Sequence, residues 1–242
     1  MDLSSRLDSL QKRIAAACSR AGRNPVEVML LPVTKGVPAE TIRAAAELGL
    51  AVFGESKVQE ARLKISACPS RFRWHMLGHL QSNKCRDAVH FFEMIQSVDG
   101  LAIAQEINKW AEKAGKDMPV LLEVNVAGES TKFGYRPDRL LAELMELNAL
   151  RRIEIRGLMT IAPWTPEPEK VRPVFHAMRE LKNECEKILG APLQHLSMGM
   201  SGDFEIAIEE GATLIRLGTA LFGSRAPMKK ALRSQDETET VG

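Results

Sequence analysis

Hydrophobic positions along this chain switch repeatedly between steps of three or four and short unbroken runs. Leu3, Leu7, Leu10, Ile14 and Ala17 form one apolar stripe at helical period, which Gly22 and Asn24-Pro25 end. Val28–Val33 follows as a continuous apolar run, the pattern of a strand buried on both faces. Pro38–Leu48 predicts a helix, with proline in its first turn and Gly49 just past its end. Further strand runs are Leu50–Phe53, Arg73–Leu77, Phe91–Val98, Val120–Val126, Ile153–Ile161, Leu193–Met198 and Thr213–Leu217, which with the first make eight. Helical patterns lie between them at Glu55–Ile65, Ser82–Val89, Leu101–Ala114, Pro137–Leu147, Pro168–Leu189 and Asp203–Glu210.

Strands alternating with helices predict parallel βαβ units in an α/β protein. Eight units in 242 residues predict a single (β/α)8 TIM-type barrel with an extra helix in front, since such barrels take about 250 residues. A doubly wound open sheet is the competing arrangement. No linker rich in Pro, Gly or Ser divides the chain, so residues 1–233 are expected to form one domain. The stretch Ser234–Gly242 is acidic and apolar-poor and reads as a disordered tail.

Charge narrows the partners. Lys plus Arg number 33 against 31 Asp plus Glu, a net charge of +2, which lacks the basic footprint of a nucleic-acid binder. No run approaches the roughly 18 apolar residues a membrane helix needs, and the N-terminus lacks a signal-peptide pattern, so a cytoplasmic protein is expected. Cys18, Cys68, Cys85 and Cys185 lie far apart with no metal-ligand spacing, so reduced thiols and no metal are expected.

In a barrel the chemistry gathers at the carboxyl ends of the strands. Lys35 directly follows the first run, where partial desolvation would free its amine for attack on a carbonyl; the same position also suits a lysine pointing to water. The loops Ser197-Met-Gly-Met-Ser-Gly-Asp203 and Gly218-Thr219 offer hydroxyls and backbone amides suited to phosphate, or are ordinary glycine turns. Arg216 sits inside an apolar run, so it is either ion-paired or a permanent donor to a ligand's ring nitrogen. His79 lies where it can touch a ligand, whereas His75 alternates with apolar residues and reads as a packed group. His90, His176 and His195 read as structural residues at element starts. Glu55, Asn83 and Asn125 either orient a ligand or cap turns, and Ser56, Met159, Ser197, Ser201 and Gly202 complete the strand-end candidates. All four cysteines miss these loops.

Taken together, Leu31-Pro-Val-Thr-Lys35, Phe53-Gly-Glu-Ser-Lys-Val-Gln-Glu60, Trp74-His-Met-Leu-Gly-His-Leu-Gln-Ser-Asn-Lys84, Gly157-Leu-Met-Thr-Ile161, Leu196-Ser-Met-Gly-Met-Ser201 and Ile215-Arg-Leu-Gly-Thr-Ala-Leu-Phe-Gly223 resemble the pyridoxal phosphate homeostasis proteins, the YggS/PROSC family. The resemblance implies a barrel similar to the N-terminal domain of alanine racemase, PLP fold type III, binding pyridoxal 5'-phosphate as a Schiff base on Lys35. It also implies that Ser201, Gly218 and Thr219 hold the phosphate and that Arg216 faces the pyridine nitrogen. Members are regarded as carriers or regulators of vitamin B6 and of amino- and keto-acid pools. This chain departs from the family pattern at Ser56 and Lys57, where an Asn followed by an aromatic residue is usual, which shortens one contact near the cofactor.

An arginine at the ring nitrogen can only donate, so it keeps that nitrogen unprotonated and weakens the ring as an electron sink. A racemase would also need a second base, and the chain's one tyrosine, Tyr135, reads as a packing residue in a loop. The expectation is therefore a PLP-binding protein without catalytic residues, monomeric, exchanging its cofactor with apo PLP-dependent enzymes. The alternatives are a weak amino-acid racemase or decarboxylase with Lys35 as its only base, and a barrel for another phosphorylated ligand.

Overall fold

A computed structural model describes residues 2–129 and 131–223. The predicted boundary at residue 233 and the acidic tail lie outside the described residues. Eight parallel strands are present: β1 Met29–Pro32, β2 Val52–Glu55, β3 Arg73–Met76, β4 Met94–Val98, β5 Met118–Glu123, β6 Ile153–Met159, β7 His195–Ser197 and β8 Leu214–Leu217. They pair in the order β1-β8-β7-β6-β5-β4-β3-β2. Val33 bridges Gly54 in parallel register, with the Thr34 amide donating to the Gly54 carbonyl at 2.9 Å, so the two ends of the sheet meet and the barrel closes. The open-sheet alternative is thereby set aside.

The helices among the described residues are α1 Leu3–Arg20, α2 Ala39–Glu47, α3 Val58–Ala67, α4 Cys85–Phe91, α5 Leu101–Ala114, α6 Pro137–Asn148, α7 Arg172–Leu189, α8 Phe204–Glu209 and α9 Thr219–Phe222. Three differ from the sequence reading in an informative way. Pro38 stands before α2 in extended conformation rather than inside its first turn. The single helix expected over 168–189 is a 3-10 turn, Pro168–Val171, followed by α7, whose first turn holds Pro173. The strand expected to start at Phe91 starts at Met94, because Phe91 closes α4.

The leading helix α1 buries Leu7, Leu10, Ile14, Ala17 and Cys18 against α8 and α9. Its polar edge adds Arg13 to Glu205 and Arg20 to Glu209, and the Arg13 guanidinium lies 4.6 Å from the Phe204 ring centroid.

Side chains alternate across each strand, which sorts the barrel into an outer and an inner core. Ile95, Val120, Leu122, Leu196, Ile215 and Leu217 face the helices as part of one large apolar cluster. Leu31, Leu77, Met94, Leu121, Met159 and Leu214 form a separate small cluster inside the barrel. The buried polar residues His75, Gln96, Ser197 and Arg216 share the inward parity of that cluster on their strands, so the interior is apolar in one part and polar in another.

Where β6 meets β7 the backbones approach so closely that a Cβ on Gly157 would lie 1.9 Å from the His195 carbonyl oxygen. Gly157→Ala must therefore spread the two strands, and we expect a loss of about 3 kcal/mol, read as a lowered urea midpoint at unchanged slope.

Candidate functional site

Two clefts open at the carboxyl ends of the strands, on either side of the β1 end. The first, of about 360 Å3, is lined by Val33, by Trp164, Thr165 and Pro168 from the loop after β6, by Met200–Asp203 after β7, and by Arg216, Gly218 and Thr219 at β8. This volume falls within the usual range for small-ligand sites. The second, of about 470 Å3, contains Ser56, Lys57, Met76, His79 and Lys84 at the ends of β2 and β3. A larger cavity of about 560 Å3, with Arg86, Trp110, Lys113 and Lys116, lies on the outer face at α4 and α5, where no strand end reaches it.

Of the predicted residues, Ser201, Gly202, Arg216, Gly218 and Thr219 converge on the first cleft, and Ser56 and His79 on the second. Lys35 follows β1, the strand between these two groups in the barrel order. Its side chain is exposed, which of the two sequence readings favours the lysine facing water: β1 ends at Pro32, and Lys35 lies in a turn with Gly36 at φ +71°. Asn83 is exposed in a 3-10 turn and lines neither cleft. Met159 belongs to the apolar interior. Ser197 is buried below the first cleft and acts on Arg216.

The donor groups of the first cleft carry its chemistry. Among the described residues the amides of Ser201, Gly202, Gly218 and Thr219 donate no hydrogen bond, and the Ser201 and Thr219 hydroxyls stand beside them. The Ser201 hydroxyl accepts from the Ala220 amide at 3.1 Å, which ties the two loops together. Gly199 (φ +93°) permits the first loop its fold, since a Cβ there would meet Ala207 at 2.6 Å. Asp203 precedes α8, but its carboxylate holds the Met200 amide at 2.6 Å instead of capping the helix. Burial raises the Asp203 carboxyl, against the pull of Met200 and Arg216. Free amides on two facing loops make a concavity for an anion.

Arg216 closes the floor of this cleft and is 5% exposed. Its Nη2 donates to the Thr160 carbonyl at 2.7 Å and its Nη1 to Ser197 Oγ at 2.8 Å. Ser197 Oγ donates onward to Gln96 Oε1 at 2.7 Å, and Gln96 Nε2 meets His75 Nδ1 at 2.9 Å. Burial lowers His75 to about 3, so its ring is neutral and accepts at Nδ1. The chain of donors therefore runs one way, from the guanidinium to the imidazole. Burial lowers Arg216 to about 10, which still leaves it charged at neutral pH, with donor capacity to spare for a ligand.

Several residues escaped the sequence reading. Gln96 was detectable as a polar residue in the otherwise buried strand Met94–Val98, whereas Trp164, 88% exposed on the rim, carried no pattern. His79 stacks on Phe133 at 3.6 Å between centroids and bonds Asp99 at 2.8 Å. Asn125 braces its own loop through Glu129. His90 lies in the last turn of α4 rather than at the start of an element. Tyr135 is buried as a packing residue, and burial raises its phenol. All four cysteines are free, with thiols pushed up by burial, Cys85 to about 12 and Cys185 to about 11. Among the described residues no His, Cys, Asp and Glu cluster could hold a metal, and no helix is long and apolar enough to cross a membrane.

Glu123, on the inner wall, is raised to about 7, first by burial, then by Asp99, with Arg216 opposing. The unfolded chain releases this proton near 4.5, so the folded state holds it between about pH 4.5 and 7, and stability falls as pH rises through that window. Glu123→Gln should remove this fall and be more stable than the parent at pH 8 by about 2 kcal/mol, read from urea midpoints at pH 5 and pH 8.

Comparison with known proteins agrees with this architecture. The family model for the alanine racemase N-terminal domain matches residues 5–226. The pyridoxal phosphate homeostasis protein of Aquifex aeolicus is 45% identical over 227 residues, covering 93% of this chain and 99% of that relative. PipY of Synechococcus elongatus, solved without PLP, superposes with a TM-score of 0.82 at 39% identity, covering 92% of this chain and all of PipY. PipY solved with PLP bound gives 0.80 at 38% identity, with the same coverage. The chain thus belongs to the pyridoxal phosphate homeostasis protein family, built on the alanine racemase N-terminal barrel.

Proposed function

We propose that this protein binds pyridoxal 5'-phosphate at the ends of β7, β8 and β1 and serves the homeostasis of that cofactor, and with it of amino and keto acids, without catalytic turnover. The observation that carries the reading is the donor set of the first cleft: four free amides and two hydroxyls on two loops, with a buried guanidinium at their base. A phosphate suits the loops, and a ring nitrogen that accepts a hydrogen bond suits Arg216. When bound, the cofactor supplies an aldehyde that condenses with an amine and a ring that withdraws electrons.

Each residue then has a part. Ser201, Gly202, Gly218 and Thr219 bind the phosphate. Arg216 orients the ring and, as a fixed donor, keeps a proton off its nitrogen, which suits storage better than turnover. Lys35 supplies the amine for covalent attachment from the turn after β1, the strand that stands between the two clefts in the barrel order. His79 and Ser56 stand in the second cleft, where the serine is shorter than the family's usual asparagine. Tyr135 is enclosed, which supports the absence of a second base. Free, largely buried thiols are in keeping with the cytoplasm, and a monomer supplying apo PLP-dependent enzymes is the working arrangement.

Lys35→Ala should abolish the pyridoxyl label that borohydride fixes on the protein, as read by peptide mass mapping; an undiminished label would sink the assignment. Ser201→Ala and Thr219→Ala should each weaken PLP binding by about 1 kcal/mol, roughly fivefold, in equilibrium dialysis. With L-alanine in deuterated water we expect no exchange of the α-hydrogen, and exchange seen by NMR would overturn the non-catalytic reading.

A further inference from the structure

Beside the β1 turn lies a second lysine that the cofactor-binding reading does not use. Lys64, on α3, is 9% exposed. Its ammonium group donates to the Thr34 carbonyl at 2.5 Å and to Glu55 Oε1 and Glu60 Oε1 at 2.6 Å each, which uses all three of its protons. The Thr34 carbonyl belongs to the peptide that leads into Lys35. The Gly36 amide, in the peptide that leaves Lys35, donates to Glu60 Oε1 at 2.6 Å. Thr34 Oγ1 donates to Glu55 Oε1 at 2.5 Å. Both peptide groups flanking Lys35 therefore end on one ion cluster carried by β2 and α3.

Lys35 itself makes no hydrogen bond through its side chain among the described residues. The result is a fixed base under a free four-carbon stem. An ion pair present only for stability needs no contact with either of these peptides. Here the cluster spends an ammonium proton and a carboxylate oxygen on them.

We propose that Lys64 is a positioning residue for Lys35, fixing through Glu55 and Glu60 the turn that carries the attaching amine. This rests on the reading of Lys35 as the attachment point. In that attachment the Lys35 amine adds to the aldehyde carbon and water leaves, so the distance from a fixed Cα to the bound aldehyde sets the rate. Phosphate binding on the loops after β7 and β8 does not depend on it.

The test compares pyridoxal 5'-phosphate with pyridoxamine 5'-phosphate, which has the same phosphate and ring but no aldehyde to condense. For Lys64→Met we expect borohydride-trapped attachment at Lys35 to slow about tenfold, while affinity for the pyridoxamine form stays within about twofold. Lys64→Arg, which can reach the same acceptors, should recover most of the rate. Equal losses for both ligands, or an unchanged attachment rate, would overturn the proposal. If Lys64→Met does not fold, Glu60→Ala removes the Gly36 clamp together with the Lys64–Glu60 contact, leaves Lys64 on Thr34 and Glu55, and must show the same split. Lys35→Ala separates the two ideas: label persisting there means the attachment point itself is wrong, whereas label lost there with Lys64→Met unaffected refutes only the role of Lys64.

Discussion

A single buried guanidinium sets the terms for this barrel. Arg216 stands on the last strand with almost no exposure, and a charge in that position costs several kcal/mol unless its donors are used. The fold answers with Thr160 from the end of β6, Ser197 from β7, Gln96 from β4 and His75 from β3, so that one hydrogen-bonded line crosses the barrel from wall to wall. Each link fixes the next: the guanidinium can only donate, so Ser197 Oγ accepts from it and gives its own proton to Gln96 Oε1, and the Gln96 amide nitrogen, a donor, faces His75 Nδ1, which accepts. Remove Ser197 and the guanidinium loses one of its two acceptors; remove Gln96 or His75 and the buried group beside it loses its partner.

Around that line the interior divides its labour. Apolar side chains of β1, β5 and β6 fill part of the barrel, and the polar line holds another part as a floor rather than a filled plug. Loops beyond the strands then need only small residues and unpaired amides to make a binding surface. Rigidity comes from the strands and recognition from the backbone of two short loops, which lets the barrel present an ordered donor set.

Much of this could be read in the sequence because hydrophobic runs mark barrel strands plainly. All eight strands were legible, and Arg216 stood out because a guanidinium inside Leu214–Leu217 contradicts its surroundings. Strand ends were harder. The second strand was expected to stop at Phe53 and runs on to Glu55, whose carboxylate is stabilised by Lys64 and Thr34, partners invisible to any local pattern. Lys64 itself looks like the surface half of an i,i+4 pair with Glu60; only the meeting of β1, β2 and α3 makes it buried. For Lys35 the sequence left burial and exposure both open for a similar reason: a run of apolar residues says where a strand lies and nothing about how the chain leaves it.

The four cysteines have a consequence for selectivity. A protein that holds a reactive aldehyde must keep its own nucleophiles from competing for it, and a thiolate is the strongest such competitor among side chains. Cys18, Cys85 and Cys185 are buried, and burial raises all four thiols, which disfavours the thiolate form that would add to a carbonyl.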